Sequence, residues 1–278
     1  FFYFFSFSEL KSNTTGNTYS KLEIVPASKL IKHKEEYLFG IKINLEEGWK
    51  TYWKNPGEAG AKIDIKWQKD SNISEMEVLF PFPEKFLDHQ VETIGYEKEI
   101  IFPVKIKPKQ NAQSINTDLT IEYLICKEIC IPITEKKKIN FLFNDFILDT
   151  SKNEVIKYLN KVPIRDSKTF QIIEIFEKTD NRVRLTLRPV DSKKKNYKIF
   201  TYSEETDVYV LSINPESKIN IDLEIDKKIS LMKNPFFVSI SDGINFEEIS
   251  VFPDQIKANS NFFYYLLLAF VGGLILNF

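Results

Sequence analysis

Two cysteines and two histidines are the thiol and imidazole groups of this 278-residue chain, and the cysteines lie together in Leu124-Ile-Cys126-Lys-Glu-Ile-Cys130-Ile-Pro132. Such a pair can serve as a structural bridge, as an exchanging dithiol, or as half of a metal site. Metal is the weakest reading, because His33 and His89 stand isolated and no second cysteine pair completes a tetrahedral set. A structural bridge is a serious competitor. Closing so short a loop, however, removes only about 2 kcal/mol of unfolded-state entropy, and a chain of this size has other means of stability. Exchange needs a thiolate, an accessible partner disulfide and a second thiol to resolve the mixed disulfide, with no bound cofactor. Lys127 favours a thiolate beside it and Glu128 opposes one, so local charge does not choose the attacking sulfur. On these residues alone the structural and exchanging readings stay level.

The elements that must hold the pair are written mainly in period two. Phe39, Ile41, Ile43 and Leu45 alternate with small or polar residues, as do Ile63, Ile65 and Trp67, then Leu119, Ile121, Tyr123 and Ile125; these are half-buried strands. The last ends at Ile125 and another is expected to resume around Ile139. The cysteines then fall at a strand end or hairpin mouth, within reach of each other. Asn55-Pro56-Gly57, Pro81-Phe82-Pro83 and Pro108 supply the chemistry of turns between strands. Ser151-Lys-Asn-Glu154 has capping-box spacing, predicting a short helix with Val155, Ile156 and Leu159 on one face, ended by Pro163. Alternation returns in Gln171 to Phe176, Val183 to Leu187, Val208 to Ile213, Ile219 to Ile225 and Phe237 to Ile240.

The fold class expected is therefore mainly β: two immunoglobulin-like β-sandwich domains in tandem, 19–147 and 164–257, joined by a linker helix in 148–163. Residues 1–18, opening on the apolar run Phe1 to Phe7, look like the remnant of a secretory signal peptide. Phe262 to Phe278 is uncharged and reads as the start of a truncated C-terminal transmembrane helix within 260–278, placing the chain at a membrane. Lys plus Arg number 38 against 39 Asp plus Glu. That balance leaves no basic footprint for nucleic acid, and the Lys136 to Lys138 and Lys193 to Lys195 runs read as solvated strand ends or turns.

An ordered set of motifs adds a resemblance. Gly48-Trp-Lys-Thr-Tyr-Trp53-Lys-Asn-Pro-Gly57-Glu-Ala-Gly60 is followed by Pro81-Phe-Pro83, Gly95-Tyr96-Glu97 and the cysteine segment. In this order and spacing the set resembles the periplasmic region of DsbD-type and ScsB-like thiol:disulfide interchange proteins. The three residues between the cysteines fit the ScsB-like branch, the DsbD pair being more widely spaced.

The resemblance implies a protein-disulfide reductase module at the bacterial inner membrane, with its β domains in the periplasm. It would take electrons from a cysteine pair in the transmembrane redox domain of the same full-length protein and pass them to periplasmic thioredoxin-like proteins. Cys130 would exchange with the partner and Cys126 would resolve. A cap loop somewhere in Phe86 to Tyr96 would shield the pair. Trp49, Tyr52 and Trp53 read either as an aromatic wall beside the disulfide or as core filling, and Gly95 and Tyr96 as part of the shielding loop. The competing function is a membrane-tethered immunoglobulin-like binding or assembly module with a purely structural bridge.

Overall fold

The computed structural model describes residues 18–257 apart from 27–28, 35, 69–71, 89, 149–152, 166–168 and 191–195. The expected signal remnant (residue 18 aside), the C-terminal membrane span, His89, Ser151 and Lys193 to Lys195 all lie outside the described residues. Among the described residues no helix is long and apolar enough to cross a membrane.

In chain order the first half contains β1 (Ser20–Val25), β2 (Leu30–His33), β3 (Glu36–Leu45), β4 (Lys50–Gly57), β5 (Asp64–Trp67), β6 (Ile73–Val78), β7 (Glu84–Asp88), β8 (Val91–Glu97), β9 (Glu99–Pro108), β10 (Ser114–Cys126), β11 (Cys130–Leu142) and β12 (Phe146–Leu148). After α1 (Glu154–Leu159) come β13 (Ile164–Arg165), β14 (Phe170–Thr179), β15 (Arg182–Pro189), β16 (Lys198–Ser203), β17 (Val208–Pro215), β18 (Ile219–Ile225), β19 (Phe236–Ser241) and β20 (Phe246–Val251). The chain is mainly β, consistent with immunoglobulin-like sandwiches.

Two six-stranded sheets form the first sandwich. Sheet I runs β12-β2-β3-β9-β6 with β1 also on β3; sheet II runs β11-β10-β4-β8-β7 with β5 also on β10. Alternation explains their packing. Ile115, Leu119, Ile121, Tyr123 and Ile125 of β10 face Phe39, Ile41, Ile43, Phe102 and Val104 of sheet I in one core, while Asn116, Asp118, Thr120, Glu122 and Leu124 alternate outward. A second core lies between the four-stranded sheets III (β13-β20-β19-β16) and IV (β14-β15-β18-β17), built on Leu185, Ile221, Leu223, Val238 and their neighbours.

The helix covers the outer face of sheet I, with Val155 and Ile156 buried against Ile31, Leu38 and Ile101. Gly40 makes the room: a Cβ there would stand 2.7 Å from Ile101 and 2.9 Å from Val155. The helix cap differs from the one expected. Asn153 takes the position, its Oδ1 accepting from Val155 N at 2.9 Å, because an Asx side chain directly before Glu154 reaches the orphan amide of the first turn.

Two further expectations are corrected. Asn55-Pro56-Gly57 does not reverse the chain; β4 runs through it behind a register shift between Tyr52 and Gly57, and Asn55 Oδ1 accepts from Gly57 N at 3.1 Å. Lys136 to Lys138 lie in mid-strand on β11, opposite Asp118, Leu119 and Thr120, rather than at a turn.

The two sandwiches touch through β4. Trp53 packs on Phe200 with ring centroids 6.0 Å apart, Phe82 lies against Phe200 and Phe246, and Asn55 Nδ2 donates to Thr201 O at 2.8 Å. Lys54 pairs with the buried carboxylate of Glu248, which also receives Arg165 Nε at 2.9 Å. Burial opposes both charges of the Lys54–Glu248 pair; the two cations overcome it on Glu248 and hold that carboxyl below its usual range.

Candidate functional site

The long antiparallel ladder of β10 and β11 positions the cysteines. Thirteen residue pairs run from Ser114 opposite Leu142 to Cys126 opposite Cys130, so the turn is only Lys127-Glu128-Ile129 and β11 resumes at Cys130. That resumption comes earlier than the expected Ile139, because Ile131 and Ile133 already pack on the core. Cys126 and Cys130 are disulfide-bonded with Cα atoms 4.1 Å apart. Parity along β10 sends Ile125 into the core and Cys126 to the outer face, where Cys130 joins it.

The two sulfurs do not share an environment. Cys126 is 7% exposed, whereas Cys130 and the whole turn before it are exposed, Ile129 to 65%. On its other side Cys126 pairs in register with Lys50 at the start of β4. Thr51 Oγ1 fastens that junction by donating to Leu124 O at 3.0 Å. The Lys127 ammonium turns toward Glu47 O, 3.4 Å away, and its stem lies on Gly48, whose φ of +81° is open to glycine and strained for other residues. Lys50 places its ammonium 4.5 Å from the centroid of the Phe86 ring.

The aromatics run from Trp49, just before β4, to Trp53 within it. Trp49 is in the core and stacks on Tyr19 at 4.4 Å, and Trp53 is in the core at the junction with Phe200, its Nε1 without a protein partner. Tyr52 is buried on the opposite face, where Gly60 leaves space for its ring. Gly95 crosses so close to Thr51 that a Cβ would collide with the Thr51 carbonyl, and the buried Tyr96 donates its hydroxyl to Pro81 O at 2.6 Å. Burial raises the Tyr96 phenol well above its ordinary pKa, keeping it a neutral donor. The segment where a cap loop was expected is the β7–β8 hairpin, paired strand to strand within sheet II.

Lys50 is a neighbour of the site that sequence reasoning missed. Only the cross-strand register brings Lys50 to Cys126, and no local pattern encodes that register. Ile129, an apolar residue between the two cysteines, is open to solvent at the turn. Among the described residues no cluster of three metal-ligating side chains occurs.

A β-sandwich carrying one surface disulfide at a hairpin tip defines the class of the molecule, and comparison with known proteins narrows it. Residues 22–141, which carry both cysteines, match the family described as thiol:disulfide interchange protein DsbD, N-terminal. The crystal structure of the N-terminal periplasmic domain of ScsB from Proteus mirabilis aligns over 86% of this chain and 95% of its own, with a TM-score of 0.67 and 16% identity. The reduced N-terminal domain of DsbD from Neisseria meningitidis aligns over 36% of this chain and 74% of its own, at 16% identity and a TM-score of 0.25. No curated protein matches. The first sandwich is thus DsbD-like in sequence, which supports thiol:disulfide interchange at the level of the class, and the likeness to the ScsB domain is one of fold.

Proposed function

We propose that this chain is a periplasmic protein-disulfide reductase module that receives electrons from a membrane-embedded cysteine pair of the same full-length protein and delivers them to thioredoxin-like partners. The observation that carries the reading is the asymmetry of the disulfide, with Cys126 at 7% exposure and Cys130 open at the hairpin tip.

In the reduced state the Cys130 thiolate attacks one sulfur of a partner disulfide. That bond breaks, a mixed disulfide forms, and the other partner sulfur leaves as thiolate. The Cys126 thiolate then attacks Cys130 Sγ, re-forming the Cys126–Cys130 bond and releasing the partner as a dithiol. Two electrons and two protons have moved to the partner. A dithiol of the membrane domain restores the pair by the reverse exchange, again entering at the open Cys130 sulfur. Ile129 beside it offers an apolar contact for either partner.

The test is the reduction potential of the pair, measured by equilibration in redox buffers and counting free thiols by mass. A value of about −180 to −270 mV is expected for an exchanging pair. One well below about −300 mV marks a structural staple and moves the chain to the binding-module reading.

A further inference from the structure

A cleft of about 720 Å³ opens between the two sandwiches, away from the disulfide and unused by the exchange chemistry. Three sheet edges border it: β7 ends sheet II, β16 ends sheet III and β17 ends sheet IV. We propose that this cleft takes an extended, basic segment of a partner polypeptide, added as a strand along the open edge of β17.

Three observations carry the proposal. An edge strand presents a row of backbone donors and acceptors, and proteins usually cover or charge such edges. On β17 the edge is instead lined with apolar surface: Tyr209, Leu211 and Ile213 are 43%, 48% and 37% exposed; Thr201 Oγ1 already donates to Val208 O and a bulge lies between Val210 and Ser212, which leaves the stretch from Ser212 onward for an added strand. Backbone pairing to such an edge supplies affinity, and the alternate side chains supply selection.

Charge then selects the occupant. Glu58, Glu84, Glu92 and Asp207 line the cleft against Lys85 and Lys198, and Lys85 is already paired with Glu92 at 2.6 Å. The Tyr209 hydroxyl lies 3.3 Å from Asp226; burial together with Asp207, Asp226 and Glu58 raises its phenol pKa, so the negative field reaches across from the first sandwich to β17. Lysine or arginine side chains alternating with apolar ones meet both features of the cleft. A second copy of this chain does not, since its own edge would bring the same carboxylates face to face.

The test uses the full disulfide-bonded chain and a fluorescent ten-residue peptide of alternating lysine and valine. Controls replace each lysine by glutamate, or alternate valines by proline. The lysine peptide should bind at least tenfold more tightly than either control. Glu58→Lys with Asp207→Lys, both at exposed positions, should weaken it tenfold and improve the glutamate peptide, while Cys130→Ser changes nothing. The proposal is overturned if the three peptides bind alike or not at all, if Cys130→Ser alters binding, or if sedimentation shows dimers that the peptide fails to dissociate. None of these outcomes bears on the reduction potential, so the redox reading stands or falls separately.

Discussion

At the residue scale the division between a sheltered and an open sulfur makes a directional claim. In reduced protein, Cys130→Ser should remove all covalent capture of a disulfide-bearing thioredoxin-like protein. Cys126→Ser should instead accumulate the mixed disulfide, because the exchanging sulfur remains and the resolving one is gone. Non-reducing gels after acid quenching read the two results directly; capture by the Cys130→Ser protein alone would reverse the roles. The cysteine pair itself was legible in the sequence, since proximity along the chain is a local property. Lys50, its neighbour across the sheet, was not, because register between β4 and β10 is settled by the packing of two whole strands.

Elements account for the rest of what was and was not legible. Leu119 to Ile125 of β10 and Phe39 to Leu45 of β3 alternate toward one core and were readable as strands. β20 buries Glu247 and Glu248, and β7 is short and charged, so neither carries the apolar rhythm by which strands are recognised. Asn55-Pro56-Gly57 has the composition of a turn, but tertiary pairing with β8 overrides it. Packing at the helix gives a prediction of its own. Gly40→Ala drives a methyl into Ile101 and Val155 and should cost about 1 to 3 kcal/mol in chemical denaturation, the usual range for overpacking. In the second sandwich Arg184 grips Asp222 with two bonds of 2.7 Å, lowering that carboxyl from 3.8 to about 2. The depressed folded-state pKa means the contribution is full above the ordinary value and is lost as pH falls through about 2. Between about pH 5 and pH 2, Tm should therefore fall further for the native protein than for Asp222→Asn.

At the scale of the whole molecule the junction between sandwiches rests on a buried charge. Glu248 is 4% exposed on its side chain and Lys54 15%, so removing Lys54 leaves the buried carboxylate with Arg165 as its one remaining cation among the described ion pairs. Lys54→Met should destabilise by about 3 kcal/mol, and adding Glu248→Gln should recover part of that loss, because the buried carboxylate is then gone and the Arg165 left behind is 61% exposed to water. A double-mutant cycle in urea checks both values, and equal losses in the single and double variants would argue against the coupling. The strand that bears Lys54 also starts at Lys50, beside Cys126. Four residues of extended chain separate the two, roughly 13 Å at strand rise. β4 is thus a fixed ruler between the sulfur chemistry and the second sandwich, and a client that leans on both must carry its own disulfide at a matching span.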